Sequence, residues 1–90
     1  MPTYDKDPDE ILDYSVDWSS WLADDDTIAT ADWDVPAGLT IPKTVPHDGK
    51  IATVWLAGGT VGEVYPVTSR VVTGVGRTGE RTFYINVEQK

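Results

Sequence analysis

The chain has 90 residues, a length that suits one domain with a single modest core. Its 15 acidic and 7 basic side chains give a formal net charge of −8, which argues against nucleic-acid binding because an acidic surface repels phosphate backbones. The sequence contains no cysteine, so disulfides and thiolate metal sites are excluded.

Membrane insertion is also not indicated. The N-terminal residues lack the basic and apolar regions of a secretory signal, and no run approaches the ~20 apolar residues that span a bilayer. We therefore expect a soluble, unexported chain with no membrane partner.

The charge is divided unevenly along the sequence. The first 40 residues have eleven acids and one base, a balance of −10, and the remainder has a balance of +2. This split suits head-to-tail contact between copies or docking on a basic partner, while a solubilising surface is the simpler interpretation.

Residues 1–10 read as an extended acidic N-terminal arm, ordered only where it lies on another part of the protein. The Asp5-x-Asp7-x-Asp9 spacing is similar to the start of an EF-hand calcium loop. That interpretation fails because Glu10 stands where the loop needs glycine and Val16 where it needs glutamate.

Alternation of apolar and polar residues predicts the first strands. Leu12 to Trp18 alternates strictly, and Thr27–Val35 places Ala29, Ala31, Trp33 and Val35 on one face. We expect Trp33 to lie across the sheet centre, like the buried tryptophan of immunoglobulin-type sandwiches. Between these strands, the Ser- and Asp-rich residues 19–26 predict a turn with Trp21 and Leu22 tucked under the end of the sandwich.

The second half of the chain is richer in strand signals. A short edge strand at Leu39–Thr44 precedes three strands, namely Ile51–Leu56, Val64–Thr73 and Arg81–Val87. The last two should form a hairpin around Gly74–Gly79, with Phe83, Ile85 and Val87 on the core face.

Together these elements predict an all-β fold, a single small immunoglobulin-like antiparallel β-sandwich over residues 11–90, preceded by the arm at residues 1–10.

Signs of catalysis or of a cofactor are weak. The single histidine, His47, lies in a Pro-His-Asp-Gly turn, and no nucleophile motif, zinc pattern or phosphate-binding loop accompanies it. The Asp24–Asp26 run could hold a hard cation, but a solvated loop tip is the preferred interpretation because calcium needs six or more oxygens. We predict a protein that is not an enzyme and has no cofactor and no metal.

Several motifs together resemble a family of small tailed-bacteriophage virion proteins, the fibre-tail adaptor proteins. The most specific block is Asp13-Tyr-Ser-Val-Asp-Trp-Ser-Ser-Trp-Leu22, and the likeness extends from Asp7 to Val87. The others are Asp26-Thr-Ile28, Trp33-x-Val-Pro-Ala-Gly-Leu-Thr40, Ala52-Thr-Val-Trp-Leu-Ala-Gly-Gly-Thr60 and Gly76-Arg-Thr-Gly-Glu-Arg81. Two residues depart from the family pattern: Pro66, which indicates an edge or bulged strand, and Gly79, where an acid is common.

The resemblance implies a non-enzymatic virion structural protein, assembled in the host cytoplasm, that attaches a fibre or related component to the tail or head-tail junction. Its partners would be other virion proteins, with self-association in a symmetric assembly. A capsid decoration protein bound to the major capsid shell is one alternative. An immunoglobulin-like module that binds carbohydrate through Trp55 or Tyr84 is another, and burial of Trp18, Trp33 and Trp55 would argue against it.

Contact with partners is assigned to the arm and to the turn after the first long strand. The predicted partner-binding residues are Tyr4, Asp5, Asp7, Asp9, Glu10, Trp21, Asp24, Asp25 and Asp26. If the arm acts only in contact, deletion of Met1 to Asp9 should leave the fold intact and abolish incorporation into virions.

Overall fold

The computed structural model describes residues 3–43 and 46–89, and every regular element in them is a β-strand. The all-β prediction is therefore confirmed. Seven strands follow one another: β1 (Thr3–Lys6), β2 (Leu12–Asp17), β3 (Ile28–Asp34), β4 (Leu39–Thr40), β5 (Ile51–Gly58), β6 (Val64–Thr73) and β7 (Thr78–Val87). This part of the chain has no helix that could serve as a membrane span.

The strands form two sheets, one in the order β1-β7-β6-β3 and one in the order β2-β5-β4. Neighbouring strands are antiparallel except β1, which runs parallel to β7 with Thr3 opposite Tyr84 and Lys6 opposite Val87. Every described strand pair within residues 11–90 is antiparallel, as predicted, and the parallel pair involves β1, which lies in the segment predicted as an arm. The predicted arm is ordered along residues 3–6, where it lies against β7.

The core lies between the two sheets. β6 and β7 contribute the residues that the alternation placed inside, because successive side chains of a strand point to opposite faces. The largest cluster draws on both sheets: Leu39, Val54, Leu56, Tyr65, Val67, Phe83, Ile85 and Val87. A second cluster of Trp18, Ile28, Ala52 and Val71 continues it along the molecule.

The predicted hairpin is confirmed, with β6 and β7 paired from Val64–Asn86 to Val72–Thr78. Pro66 lies in β6, an interior strand of its sheet. The pairing of β3 with β6 ends at Asp34–Thr68, so β6 has no β3 partner at Pro66. Proline is tolerated here because no ladder hydrogen bond requires its missing N–H.

The face prediction for β3 is wrong at its start. A register shift between Ile28 and Thr30 opposite β6 reverses the alternation, so that Ile28 is buried and Ala29 is exposed. Ala31 and Trp33 keep the predicted inner face and are half-buried. The predicted strand at Leu39–Thr44 is shorter than expected and ends at Thr40, and Thr44 lies outside the described residues.

The molecule is elongated, with principal extents of 43 × 24 × 19 Å. One end, which we call the Lys6 end, holds Lys6, the turn at residues 7–10 and the C-terminus of β7. The other, the tryptophan end, holds Trp18, Trp21, the turn at residues 24–26 and the N-terminus of β7.

Candidate protein-binding surfaces

Lys6 joins the two sheets at the Lys6 end. Its side chain is fully buried, and its Nζ donates hydrogen bonds to the carbonyl oxygen of Gly58, at 2.7 Å, and of Asp7, at 3.0 Å. Burial lowers the pKa of Lys6, while the nearby carboxylates of Glu10, Asp7 and Asp9 act in the opposite direction. A buried ammonium is tolerated here because carbonyl oxygens accept its hydrogen bonds.

The turn that follows Lys6 is held by its own carboxylates. The Glu10 side chain accepts from the Asp7 N–H at 2.9 Å, the Asp7 carboxylate accepts from the Asp9 N–H at 2.9 Å, and the Glu10 N–H donates to the Asp7 carbonyl oxygen at 3.0 Å. These reciprocal bonds resemble those of a capping box without the helix. They present Asp9 to solvent and keep Asp7 and Glu10 half-buried.

Tyr4 and Asp5 lie on β1 and belong to the sheet edge. The Tyr4 ring is 41% exposed and packs against Tyr14 and Phe83, with ring centroids 5.4 and 5.6 Å away. The exposed Asp5 carboxylate accepts a hydrogen bond from Asn86 Nδ2 at 3.1 Å. Because successive side chains of a strand point to opposite faces, this edge presents an aromatic ring on its core side and an acid on its outer side.

Two tryptophans close the tryptophan end. Trp18 is 1% exposed and meets the half-buried Trp21 edge to face at 5.1 Å between centroids. Gly79 lies beneath both rings, and a Cβ added there would come within 2.8 Å of Trp21 and 2.9 Å of Trp18. The glycine thus permits the close packing of these rings on β7.

Arginines from the β6–β7 hairpin cover the same rings. The Arg77 guanidinium lies 4.5 Å from the centroid of Trp21, and that of Arg81 lies 4.6 Å from the centroid of Trp18. Each also donates to a backbone carbonyl, Arg77 to Trp21 at 3.2 Å and Arg81 to Asp17 at 3.0 Å. The cations fix the turn against the sheet through cation–π and hydrogen-bond contacts.

The acidic turn is only partly available to a partner. Asp24 and Asp25 are exposed, and Asp25 adopts a positive φ of 65°. Asp26 is 6% exposed, and its Oδ1 accepts from the Thr27 N–H at 2.9 Å. Asp26 is therefore placed inside the turn and not on the surface predicted for it.

The predicted contact residues form two groups and not one site. Tyr4, Asp5, Asp7, Asp9 and Glu10 lie along β1 and the Lys6 end, whereas Trp21 and Asp24–Asp26 lie at the tryptophan end. The two ends are about 27 Å apart along β7, given the rise of a strand. A single small partner does not span both groups.

Sequence reasoning missed the basic residues that organise these surfaces. Arg81 and Gly79 share the parity of Phe83, so the alternation along β7 could have assigned them to the inner face, where Gly79 lies beneath the tryptophans and Arg81 covers Trp18. Lys6 is the one base among the first 40 residues. This was the only sequence feature that distinguished it.

The remaining polar features of the described residues bear on metal binding and on the lining of a cleft. Within residues 3–43 and 46–89 no three His, Asp or Glu side chains are grouped so as to hold a metal ion. His47 is half-buried, and its Nε2 lies 3.2 Å from the Ile28 carbonyl oxygen at the register shift of β3. A cleft of about 330 Å³ beside it is lined by Ala31, Trp33 and Val54 among others.

Comparison with known proteins adds one finding. A family model described as Podophage GP4 fiber-tail adaptor protein gp77 matches residues 6–86. The matched range begins at Lys6, contains β2 to β6 in full and includes the whole tryptophan end. No curated protein matches the chain.

Proposed function

The chain belongs to the podophage GP4 fiber-tail adaptor protein gp77 family, and on that premise we propose that it is a non-enzymatic structural protein of the virion that attaches a fibre or related component to the tail or head-tail junction. Its partners are other virion proteins, and it acts in several symmetric copies assembled in the host cytoplasm. Repetition by symmetry turns weak individual contacts into firm attachment.

The observation that carries this proposal is that the predicted contact residues fall into two separate groups at opposite ends of an elongated body. An adaptor must bind two components at once, so its two surfaces cannot overlap. In a body 43 Å long, about 27 Å along β7 separates the acidic turn at the Lys6 end from Trp21, Asp24 and Asp25 at the tryptophan end. The sandwich between them supplies a rigid spacer.

We also propose that this spacer is an immunoglobulin-like domain. With strands lettered A to G in chain order, the sheets read A-G-F-C and B-E-D, which differs from the constant-type order only in the placement of A. Trp33 lies on the strand lettered C and packs edge-on against Phe83 at 6.2 Å. The Tyr65 hydroxyl, at the start of strand F, accepts from the Thr60 N–H at 2.9 Å, as in a tyrosine corner.

Carbohydrate binding has less support. Sugar stacking needs an exposed aromatic pair beside polar groups. Trp18 is 1% exposed, and the half-buried Trp55 ring is covered by the Lys43 ammonium at 3.9 Å from its centroid. Capsid decoration is likewise supported by no specific contact of the described residues. The family description names the tail and the fibre, not the capsid shell.

Localisation in the particle tests the proposal. Immunogold labelling of intact particles, with cryo-EM averaging, should place the protein at the tail or neck in a few symmetric copies. Labelling spread over the whole shell would make it a decoration protein, and absence from particles would exclude both roles.

The two-ended arrangement needs its own test. Asp24→Asn with Asp25→Asn changes only the tryptophan end, and Asp9→Asn changes only the Lys6 end. We expect each set to weaken binding to one component, fibre or tail, and to leave the other unchanged. Loss of both partners from either set would contradict separate surfaces.

A further inference from the structure

Among the described residues, the outer edge of β7 is covered at only four of its ten residues. β1 pairs with Tyr84 to Val87, but β7 begins six residues earlier, at Thr78. On the side opposite β6, no strand of residues 3–43 or 46–89 pairs with Thr78–Phe83. This stretch is an open sheet edge in line with β1.

The backbone of this stretch is turned outward at alternate residues. The Thr73 N–H donates to Arg77 C=O at 2.8 Å within the hairpin, and the Glu88 N–H donates to Lys6 C=O at 2.9 Å on the opposite side. Because an antiparallel strand directs its hydrogen bonds to alternate sides, the even-numbered residues of β7 face the β1 side. The N–H and C=O groups of Glu80 and Thr82 therefore point to the open edge.

A groove runs along this edge between β7 and β2. Its volume is about 430 Å³, and its walls include Tyr4, Val16, Asp17, Glu80 and Phe83. The neighbouring edge of β2 is already engaged at Asp17, whose carbonyl oxygen accepts the Arg81 guanidinium at 3.0 Å. A strand in the groove would accordingly pair with β7, with Val16 and Phe83 as its apolar contacts.

The rim of the groove is acidic. Asp13 and Asp17 lie on the outward face of β2 and are exposed. Hydrogen bonds from Ser19 lower the pKa of Asp17, so this carboxylate stays ionised. Arg81 also lines the groove and its charge contributes to the lowered pKa of Asp17, so it offsets part of the rim. Glu80 is paired with Arg70 at 2.8 Å. Asp13 and Asp17 together still outnumber Arg81.

We propose that the open edge of β7 receives an extended, basic segment of a partner virion protein, which pairs with Glu80 and Thr82 in line with β1. Apolar side chains at every second position contact Val16 and Phe83, and lysine or arginine side chains meet the Asp13–Asp17 rim. This is β-strand addition, in which main-chain hydrogen bonds give affinity and alternate side chains give specificity. The inference rests on the proposed function, because it supplies the partner of the adaptor.

A synthetic peptide of about seven alternating lysine and valine residues is a suitable probe, since it matches the length of the uncovered edge. Its control carries N-methyl groups on alternate amides, which preserve charge and apolar surface but remove main-chain donors. Amide hydrogen exchange of the full chain, resolved by NMR, is the readout. We expect the peptide to slow exchange at Glu80 and Thr82 by at least about tenfold, and the N-methylated peptide to have no such effect.

Three results would overturn the proposal. Equal binding of both peptides would show charge attraction alone, and protection of β2 or β3 amides would place the segment elsewhere. Protection of Glu80 and Thr82 that rises with protein concentration, without peptide, would make a second copy the occupant.

A variant pair adds a functional readout. Thr82→Pro removes the outward N–H, and Ala31→Pro removes the equivalent outward N–H on β3, the opposite edge of the sheet. We expect Thr82→Pro to weaken peptide binding by about tenfold and Ala31→Pro to leave it unchanged. The exchange measurement on the unmodified chain decides the matter even if either variant fails to fold.

Incorporation into particles separates this inference from the proposed function. If the unmodified chain and folded Thr82→Pro enter particles equally, the adaptor role stands and the β7 edge is not its contact. If the unmodified chain is absent from particles while the peptide still protects Glu80 and Thr82, the edge binds a strand but the adaptor role fails.

Discussion

Gly79 is the residue on which the packing of the tryptophan end depends. The added methyl of Gly79→Ala would lie 2.8 Å from Trp21 and 2.9 Å from Trp18. We expect a loss of about 1–3 kcal/mol in the free energy of unfolding and a red shift in tryptophan fluorescence, because Trp21 must move outward. Urea denaturation followed by fluorescence measures both.

Gly74→Ala is the matched control for this substitution. A Cβ at Gly74 would meet only Asp26 Oδ1, at an ordinary contact distance of 3.7 Å. Equal destabilisation by the two variants would show that the effect comes from glycine itself and not from the tryptophans.

Lys6 should make the stability of the fold vary with pH in the alkaline range. Lys6→Met should cost about 1–3 kcal/mol near neutral pH, because it leaves the Gly58 and Asp7 carbonyl groups without their donor. Burial lowers the pKa of Lys6, so the folded chain releases this proton at a lower pH than the unfolded chain does. The advantage of the wild type over Lys6→Met should therefore grow as pH rises through that interval.

Urea titrations of both proteins from neutral to alkaline pH give this difference directly. Subtracting the two curves removes the contribution of the tyrosines they share. A constant difference would mean that Lys6 has the same pKa in the folded and unfolded chains.

At the scale of the element, β1 is a strand of the sheet as well as a proposed contact surface. Deletion of residues 1–6 removes the buried Lys6 and the parallel pairing with β7. It also removes the contacts of the Tyr4 ring with Tyr14 and Phe83. We expect a loss of about 3–5 kcal/mol, a large part of the stability of a small domain. This differs from the sequence-based expectation that the arm can be removed without harm.

Deletion of residues 1–2 alone is the control for this truncation. Urea midpoints of the two shortened chains should differ clearly. Similar midpoints would show that β1 contributes little to stability, as expected of an arm that can be removed.

The loop before β5 should make the stability of the fold vary with pH in the acidic range. The Asp48 carboxylate accepts from the N–H groups of Lys50 and Ile51 at 2.8 and 2.7 Å. These bonds lower the pKa of Asp48, so the stability they provide is present above the ordinary aspartate pKa and is lost as pH falls through the folded value. Asp48→Ala should be less stable than the wild type at pH 7, with a difference that disappears in strong acid.

Thermal unfolding of both proteins between neutral pH and about pH 2 tests this expectation, because it covers the aspartate range. An offset that persists unchanged into acid would assign the effect to packing or loop conformation.

For the whole molecule, charge should govern association with partners. The net charge of −8 is concentrated in the first 40 residues, which form or border both contact groups. We expect association with the fibre and tail components to weaken between about 0.1 M and 1 M salt, as the Debye length falls from about 10 Å to about 3 Å. Salt-independent affinity in sedimentation or surface-binding measurements would indicate apolar and strand-edge contacts instead.

The strands of the second half could be predicted from the sequence because alternation reports directly which face of a strand is buried. Val67, Val71, Phe83 and Ile85 occupy the predicted core face for this reason. The register shift after Ile28 could not be predicted, since it depends on pairing with β6 and leaves no local pattern.

The candidate surfaces were predicted less completely. Their acids are visible in the sequence, but the burial of Asp26 and Lys6 depends on contacts with distant residues such as Gly58. The open edge of β7 follows from where the pairing of β1 begins, at Thr3 opposite Tyr84, which composition does not encode.

Because β1 and β7 run in parallel, the two ends of the molecule differ and can be labelled separately. After Val87, the exposed Glu88 and Gln89 leave at the Lys6 end, while Val75, 73% exposed, stands in the hairpin at the tryptophan end. Because the chain has no cysteine, a single one introduced by Val75→Cys or Gln89→Cys takes a thiol-reactive label at one known end. Two such labelled particles would show which end faces the tail and which faces the fibre.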